Sequence, residues 1–512
     1  MLDPVKKKIA HSKFKNIRNR IRKLNGEQLL EQLLRLLHHP DAAKMERIQN
    51  YEIWHLLLLV KWTILYGNSS EKYGIKPATD YEIIQLMNRL KDLSAYVREF
   101  NSLGDIYLFT RAMAFQQFWF QRKEYISFDA SRQYLLFGRL DKNHAFQDWF
   151  RMATNVSILD FLELSWGLFA RVLGDNDWSV NESYFSSVED KYEEGTVSYF
   201  LAAFSQTVLG ARNWLQQYDA EVAKSIRAIE YEYFQPTPFA RYPLIRHGED
   251  YFVISPDLLL NCLTELVYDL LKADYGGEFL NRFGRMFEEL VGESIRSVTD
   301  EFISESDLKR HFKNRPNQRL IDYIVVDDEC NIFVEAKAVT MSVRGMVTDQ
   351  PGTVRSQTKS VIDGIEQAYA IADALPKGEE VCGIRMGKGD NYLIVVSFKD
   401  LYIGNGRLYR DHIAPAEIDK IISKYGGEEL IPLSNVFIVS IDDFDTLLGS
   451  VLVGTKSFAD HLESAASRVR ASADWVSFRQ TVLAEGEGIT MLPYLEEASE
   501  ELYRSIESKL KP

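Results

Sequence analysis

The spacing of apolar residues predicts helices through most of the first 235 residues. Leucines three and four positions apart in residues 27–39 (EQLLEQLLRLLHH) form one apolar helical face, and residues 155–173 (NVSILDFLELSWGLFARVL) show the same spacing. Residues 197–218 (VSYFLAAFSQTVLGARNWLQQY) are apolar on most sides, which predicts a single, largely buried helix. Residues 1–235 are therefore predicted to form an all-helical domain for recognition, regulation or assembly.

The pattern changes in residues 236–275. Three prolines between residues 236 and 243 disfavour helix, and two short apolar runs on either side of residues 246–250 (RHGED) predict a β-hairpin. A helix is predicted over residues 257–274, and the YGGE sequence that follows should end it. This range is predicted to be a connecting segment between two domains.

Helical and extended patterns alternate from residue 276 to residue 452, which predicts an α/β domain. The predicted elements are a helix at 279–298, strands at 319–327 and 331–339 joined by a polar turn, a helix at 353–375, a strand at 392–398, and a strand running into a helix at 436–448. Residues 453–512 return to helical spacing and are predicted to form a C-terminal tail. The fold class is therefore multidomain, α followed by α/β.

Composition narrows the class of protein. A net charge of −14 argues against a polycation that coats nucleic acid, although it leaves room for a local basic groove. Cys262, Cys330 and Cys382 lack the spacing of a zinc site or a disulfide framework, which fits a reducing compartment. The apolar run at residues 54–66 is interrupted by Lys61 and is too short to span a membrane. We expect a cytoplasmic protein without a membrane partner.

Two of the predicted strands carry charged residues inside apolar runs. Glu335 and Lys337 are two positions apart and therefore share one face of their strand. Asp322 lies thirteen positions earlier, in the preceding predicted strand, and the turn between the two strands can bring it alongside Glu335. Two neighbouring carboxylates repel each other unless a cation lies between them. The pattern therefore predicts a metal site, and hard oxygen ligands suit Mg²⁺ or Mn²⁺.

Asp322 followed by Glu335-Ala336-Lys337 resembles the motif of the PD-(D/E)XK nuclease superfamily, which has the restriction-endonuclease-like fold. The resemblance implies that the α/β domain has a mixed central sheet. The resemblance covers residues 279–400, and it departs from the motif where Ile321 stands in place of a proline. It implies that Asp322 and Glu335 bind one or two divalent cations, with the Ala336 carbonyl as a further ligand. Lys337 would orient the attacking water or stabilise the developing negative charge.

Two further residues match features of the superfamily. Many members carry a glutamate on the first core helix in a Phe-Glu context, and here that residue is Glu288. Some branches place a glutamine on the helix after the Glu-X-Lys strand, and here that residue is Gln367. Glu288 would serve a second metal or a metal-bound water, and Gln367 would contact the phosphate or Lys337. The alternatives are a helix-surface acid and an ordinary polar helical residue.

Basic residues lie before and after the predicted site and are candidates for contacts to backbone phosphates. They are Lys309, Arg310, Lys313, Arg315, Arg319, Arg344, Arg355 and Lys359. A second basic stretch, residues 6–23, has nine Lys or Arg and no acid, and its apolar residues predict an amphipathic helix. Basic clusters of this kind can equally be solvated surface.

The sequence thus predicts an enzyme, a metal-dependent nuclease that hydrolyses phosphodiester bonds, in DNA rather than RNA. A large helical half attached to such a core fits a bacterial restriction or anti-phage defence effector, by analogy of fold. No Walker A sequence is present, so ATP-driven movement would need a partner such as an ATPase or sensor subunit. Homo-oligomerisation is a further expectation. The alternative is a catalytically inactive nuclease fold that binds nucleic acid or acts as a scaffold.

Overall fold

The structure is a computed structural model that describes residues 3–38, 52–68, 74–121, 126–174, 177–223, 229–315, 317–327, 330–454, 456–471, 478 and 490–510. The chain divides into two compact units, Met1–Asp274 with Glu501–Pro512, and Tyr275–Glu500. Residues 236–274, predicted as a connecting segment, are grouped with the first unit.

The first unit is mainly helical, because apolar stripes at helical spacing pack against one another to form its core. Its helices are α1 (Pro4–Ile21), α2 (Gly26–His38), α3 (Ile53–Tyr66), α4 (Asp80–Ser94), α5 (Leu103–Gln117), α6 (Ile126–Gln133), α7 (Ala145–Thr154), α8 (Ile158–Gly174), α9 (Thr196–Phe204), α10 (Val208–Ala223) and α11 (Ile229–Glu232). Short 3-10 helices cover Phe118–Gln121, Glu182–Phe185, Glu189–Lys191 and Pro238–Ala240, and a π-helical turn covers Tyr134–Gly138.

A small sheet completes the first unit. Its strands are β1 (Ser179–Val180), β2 (Ser205–Thr207), β3 (Leu244–His247) and β4 (Asp250–Val253), in the order β1-β4-β3-β2. The predicted hairpin is confirmed as the antiparallel pair β3 and β4. Because β1 and β2 lie before residue 236, the prediction that this region is all-helical is wrong in detail.

The predicted single helix at residues 197–218 is also wrong. The helix ends at Phe204, Ser205–Thr207 forms β2, and a new helix starts at Val208. β2 pairs in parallel with β3, which lies far along the chain. Ser and Thr are weak helix formers, so this pairing overrides the apolar periodicity of the segment.

A buried cation stabilises the helical core. The side chain of Lys61 on α3 is 2% exposed, and its Nζ donates to Asp219 Oδ1 (2.7 Å) and Glu232 Oε1 (2.8 Å). Trp62 Nε1 donates to the same oxygen of Glu232 (2.9 Å). Burial lowers the pKa of Lys61, but the two carboxylates outweigh burial and raise it overall. The lysine that interrupts the apolar run is therefore paired within the fold.

A long helix, α12 (Pro256–Arg296), contains the predicted break. Gly276 within it has φ of 48° and ψ of −119°, a conformation that glycine adopts without the steric cost of a Cβ. The prediction that the YGGE sequence interrupts the helix is confirmed. The part of α12 from Tyr275 onward belongs to the second unit.

The second unit is an α/β structure. After α12 come β5 (Phe302–Ser304), α13 (Glu305–His311), β6 (Tyr323–Asp327), β7 (Cys330–Lys337), α14 (Val343–Val347), α15 (Pro351–Gln357), α16 (Lys359–Ala374), β8 (Glu380–Val381), β9 (Ile384–Arg385), β10 (Asn391–Ser397), α17 (Gly406–His412), α18 (Pro415–Lys424), β11 (Val436–Ser440), α19 (Ile441–Val453), α20 (Phe458–Ala471) and α21 (Pro493–Leu510). A short 3-10 helix covers Leu433–Asn435. Residues of α21 from Glu501 onward are grouped with the first unit.

Five strands form the central sheet of the second unit, in the order β11-β10-β7-β6-β5. β6 runs antiparallel to both β5 and β7, whereas β7, β10 and β11 run parallel to one another. Residues of β10 and β11 are buried throughout, as parallel strands covered on both faces should be. The predicted mixed central sheet is confirmed. Residues 328–329 of the predicted turn before β7 lie outside the described residues.

The predicted helix at residues 353–375 is interrupted, which corrects that prediction. α15 ends at Gln357, and Thr358 adopts φ of −108° and ψ of 23° before α16 begins. The Thr358 hydroxyl is hydrogen-bonded to the Tyr409 hydroxyl (2.8 Å), a partner distant in sequence.

Among the helices of the described residues, none is long and apolar enough to cross a membrane.

Candidate active site

The candidate site lies where β6 begins and β7 ends. Tyr323 pairs with Val334 in the antiparallel ladder, and one further step places Asp322 opposite Glu335. The Asp322 N–H donates to Glu335 Oε2 (3.2 Å), and the Ala336 N–H donates to Asp322 Oδ2 (2.8 Å). These reciprocal hydrogen bonds hold both carboxylates at the same end of the strand pair.

Lys337 and Gln367 extend this cluster. Lys337 Nζ donates to Glu335 Oε1 and also to Gln367 Oε1 (3.2 Å). Gln367, on α16, donates from Nε2 to the carbonyl oxygen of Leu320 (2.7 Å). Because both ends of the Gln367 amide are engaged, this side chain fixes the position of the Lys337 ammonium. The structure thus brings together Asp322, Glu335, Lys337 and Gln367.

α16 can approach β7 closely because residue 364 is a glycine. A Cβ at Gly364 would lie 3.1 Å from Glu335 Cγ and 3.4 Å from Lys337 Cε. The Glu335 side chain is fully buried, whereas that of Lys337 is 20% exposed. The lysine therefore forms the solvent-facing edge of the cluster.

The environment of the cluster disfavours the ionised forms of its two acids, Asp322 and Glu335. Burial, followed by the charge of Glu335, raises the pKa of Asp322 well above that of an ordinary carboxyl group. Burial also raises the pKa of Glu335, against the opposing effect of the Lys337 ammonium. One lysine thus faces the buried carboxylate of Glu335 and the half-buried carboxylate of Asp322, and ionising both acids together is unfavourable without further positive charge.

Glu288 lies on α12 and is half-buried. Its negative charge contributes to the raised pKa of both Asp322 and Glu335, so it belongs to the same electrostatic environment. Burial and then the charge of Glu305 raise the pKa of Glu288 itself. Within the described parts of the chain, no hydrogen bond joins the Glu288 carboxylate to the other acids of the cluster.

Tyr323 connects α12 to the cluster. Its hydroxyl donates to the backbone carbonyl of Glu288 (3.1 Å). A Cβ at Gly292, one turn further along α12, would lie 2.3 Å from the Tyr323 hydroxyl oxygen. The space left by Gly292 is therefore filled by Tyr323, which sets the distance between the helix and β6.

The donor set of the cluster fits a hard divalent cation. Across the described residues, no group of three or more His, Cys, Asp and Glu side chains is arranged as a metal site. Mg²⁺ commonly binds one or two carboxylates and keeps several waters, so Asp322 and Glu335 meet its needs. In a strand, a residue's N–H and C=O point to the same edge, so the Ala336 carbonyl faces the edge that carries Asp322. Mg²⁺ or Mn²⁺ would neutralise the negative charge of the two carboxylates that Lys337 alone leaves uncompensated.

Four of the eight predicted phosphate-binding residues are engaged by acids. The ion pairs are Lys309 with Glu305, Arg310 with Asp307, Arg319 with Glu366 (3.0 Å) and Arg355 with Glu417 (3.3 Å). The Arg315 guanidinium lies over the ring of Phe312, 5.7 Å from its centre. Lys313, Arg344 and Lys359 are exposed, and the described part of the structure gives them no ion pair. These three are the stronger candidates for phosphate contacts.

Three contributors to the site were not predicted from the sequence: Gly364, Tyr323 and the Leu320 carbonyl. Gly364 gave a usable signal, because a glycine inside a helix costs about 1 kcal/mol relative to alanine and calls for a packing reason. Tyr323 and the Leu320 carbonyl gave none, since their roles depend on how the helices lie against the sheet.

Comparisons with known proteins do not place the chain in a family. No family model, curated protein or solved structure matched it. The case for a function therefore comes from the site itself.

Proposed function

We propose that the second unit is a divalent-metal-dependent nuclease that hydrolyses phosphodiester bonds in DNA. The observation that carries this proposal is the cluster of Asp322, Glu335 and Lys337, in which a half-buried acid, a buried acid and one lysine meet at the end of a strand pair. The mixed sheet, with β7 antiparallel to β6 and parallel to β10, is compatible with a PD-(D/E)XK core. By analogy of fold, a large helical unit attached to such a core fits a role in restriction or anti-phage defence.

Each residue of the cluster has a distinct task in this mechanism. Asp322 and Glu335, with the Ala336 carbonyl, would hold Mg²⁺ or Mn²⁺. When bound, such an ion supplies Lewis-acid activation of the scissile phosphate and of a water molecule. Lys337 directs its positive charge at the exposed edge, where it orients the attacking water or stabilises the negative charge that develops on the phosphate.

Two other residues support the cluster. Gln367 keeps the Lys337 ammonium in place through its bond to the Leu320 carbonyl, so it acts as a positioning residue. Glu288 adds negative charge near both acids and can accept hydrogen bonds from water in the site. Its raised pKa means that it holds a proton more readily than an exposed glutamate.

A catalytically inactive nucleic-acid-binding protein is the second candidate, and one observation favours it. Both oxygens of Glu335 already accept hydrogen bonds, one from Lys337 and one from the Asp322 N–H, and the side chain is fully buried. An enclosed carboxylate of this kind can hold its neighbours in place without a metal. The cluster would then be a structural ion network.

Cleavage assays with the full-length chain separate the two candidates. Wild type, Lys337→Ala and Asp322→Asn are incubated with circular DNA, linear DNA and RNA, in Mg²⁺, in Mn²⁺ and in EDTA. We expect metal-dependent cleavage of DNA, and a loss of about a hundredfold or more in either variant. Lys420→Ala, at an exposed lysine on α18, is the matched control and should cut normally. A wild type that binds DNA but never cuts it with any divalent ion would establish the second candidate.

A further inference from the structure

The exposed side of α1 carries a row of positive charge. Lys8 and Lys15 are two helical turns apart on the helix, Arg22 continues the same line at its C-terminal cap, and Lys23 follows. All four side chains are exposed, and we call them the α1 basic row. The helical rise separates Lys8, Lys15 and Arg22 by about 10 Å from one to the next.

The opposite side of α1 fixes the row in place. Ala10, Ile17 and Ile21 are fully buried, and Phe14 packs edge-on against Trp62 with ring centres 5.0 Å apart. The helix is therefore part of the core of the first unit, and its charged face has a defined position. It is not a mobile arm.

Acids on α4 and on the segment between α4 and α5 pair with other lysines and arginines of α1. Lys6 binds Glu99 (2.8 Å), and Arg20 binds Glu82 (2.6 Å). In the parts of the chain that the structure describes, no ion pair involves the row's lysines. Arg22 lies over the ring of Tyr66, 5.8 Å from its centre. The positive charge of the row's lysines is thus not neutralised by ion pairs within the described residues, although the protein has a net charge of −14.

Stability of the helix accounts for only part of this distribution. Asp3 caps the N-terminus by accepting from the Val5 N–H, and Arg22 and Lys23 lie at the C-terminal end, where positive charge interacts favourably with the helix dipole. Lys8 and Lys15 lie outside the first and last turns and gain nothing from the dipole. Their charge is available to a polyanionic partner.

We infer that the α1 basic row binds the phosphate backbone of duplex DNA. The duplex presents one negative charge per about 1.7 Å of axis, so phosphates are available along the whole row. Contacts of this kind are independent of base sequence and would hold substrate without taking part in cleavage. The choice of DNA rests on the proposed nuclease function, while the row belongs to the first unit and the candidate active site to the second.

An anionic membrane is the less suitable partner. Helices that bind membranes electrostatically also insert their apolar face between the lipids. Most of the apolar face of α1 is already buried in the protein, since Ala10, Phe14, Ile17 and Ile21 are at most 9% exposed, whereas Val5 near the N-terminus is 61% exposed. One exposed valine gives the helix little to insert between lipids, which favours a polyanion in solution.

The test compares two triple variants with the same change in net charge. The first replaces Lys8, Lys15 and Lys23 with glutamine, and the control replaces Lys142, Arg151 and Lys420, which are exposed residues outside α1. Binding of the full-length proteins to a labelled DNA duplex is measured in EDTA by fluorescence anisotropy, over salt concentrations of about 50 to 200 mM. Thermal unfolding of both variants verifies that the fold is intact.

The salt dependence gives the decisive result. Each lost phosphate contact lowers the slope of log K against log salt by about 0.9, so the row variant should lose up to about 3 in slope and at least about tenfold in affinity. The control should match wild type. Equal slopes in the row variant and wild type, equal losses in both variants, or a wild type that does not bind DNA would overturn the inference.

Two further measurements separate this inference from its alternatives. Vesicles containing phosphatidylserine are tested in parallel, and a loss of vesicle binding with DNA binding intact would assign the row to lipid and overturn the proposal. Plasmid cleavage is measured with the same preparations. Binding through the row without cleavage would refute the nuclease alone, whereas cleavage with normal binding by the row variant would refute the row alone.

Discussion

Mg²⁺ should stabilise the protein against unfolding, and more strongly at high pH than at low pH. Burial and the charge of Glu335 raise the pKa of Asp322, and burial raises the pKa of Glu335. The folded state then holds these two protons more tightly than the unfolded state, so proton binding to the pair stabilises the fold. This contribution of the protons is complete below the unfolded pKa of about 4. It is lost as the pH rises through the elevated folded pKa values. Without metal, this pair therefore lowers stability as the solution becomes neutral and then alkaline.

The size of the metal effect follows from binding linkage. An ion that binds only the folded protein with the pair ionised adds about 2.7 kcal/mol to the free energy of unfolding when its concentration is a hundred times its Kd. For a unit the length of Tyr275–Glu500, each kcal/mol shifts Tm by about 2 to 4 °C, so the expected rise is about 5 to 10 °C at pH 8. At about pH 5 the pair keeps its protons, and most of this gain should disappear because protonated carboxyls do not bind the metal.

Differential scanning calorimetry of three proteins tests this expectation. Wild type should show the rise with Mg²⁺, and Asp322→Asn should show none. The variant should also lose less stability than wild type with rising pH in EDTA, because Glu335 no longer faces a second acid. Glu289→Gln, at an exposed acid beside Glu288, is the control and should behave as wild type. The reasoning fails if Mg²⁺ leaves the wild-type Tm unchanged at every pH, or raises that of Asp322→Asn equally.

Two further substitutions probe the packing. Gly364→Ala places a Cβ 3.1 Å from Glu335 Cγ, so cleavage should fall by about ten- to a hundredfold while Tm changes little. Gly352→Ala, whose Cβ would lie 3.9 Å from its nearest neighbour, an Arg355 guanidinium nitrogen, should be neutral in the same assay. Unchanged cleavage by the first variant would count against the site. Lys61→Met removes the buried partner of two carboxylates and should cost about 3 kcal/mol in urea unfolding, whereas exposed Lys142→Met should cost almost nothing. Equal midpoints for these two variants would contradict the buried ion network.

The sequence carried enough information to predict the site because the relevant signals are local. Glu335 and Lys337 are two positions apart on one strand, and the turn before them returns the chain toward Asp322. Charges inside an apolar strand are costly, so their presence points to a ligand or partner. Period-two and period-3.6 patterns also predicted the β3–β4 hairpin, the long helices and four of the five strands of the central sheet, whereas the short edge strand β5 was not predicted.

The errors occurred where a distant partner decides the local structure. Ser205–Thr207 becomes a strand because β3 is available to pair with it, and the helix before α16 ends near Thr358, which bonds to Tyr409. The basic residues near the site were judged by their position in the sequence. Arg319 and Arg355 are paired with acids on other elements, which no local pattern indicates.

The charge balance of the cluster argues for a cation more strongly than the motif does. A purely structural ion pair needs one acid and one base, and well-packed apolar residues would often be at least as stable in its place. Here Asp322 and Glu335 share the single charge of Lys337, and Glu288 adds a further negative charge nearby. Such a cluster is strained while both acids are ionised, and strongly shifted carboxyl groups are typical of functional sites. Binding of a divalent ion would relieve that strain, and for this reason metal-linked stability is the sharpest test of the site.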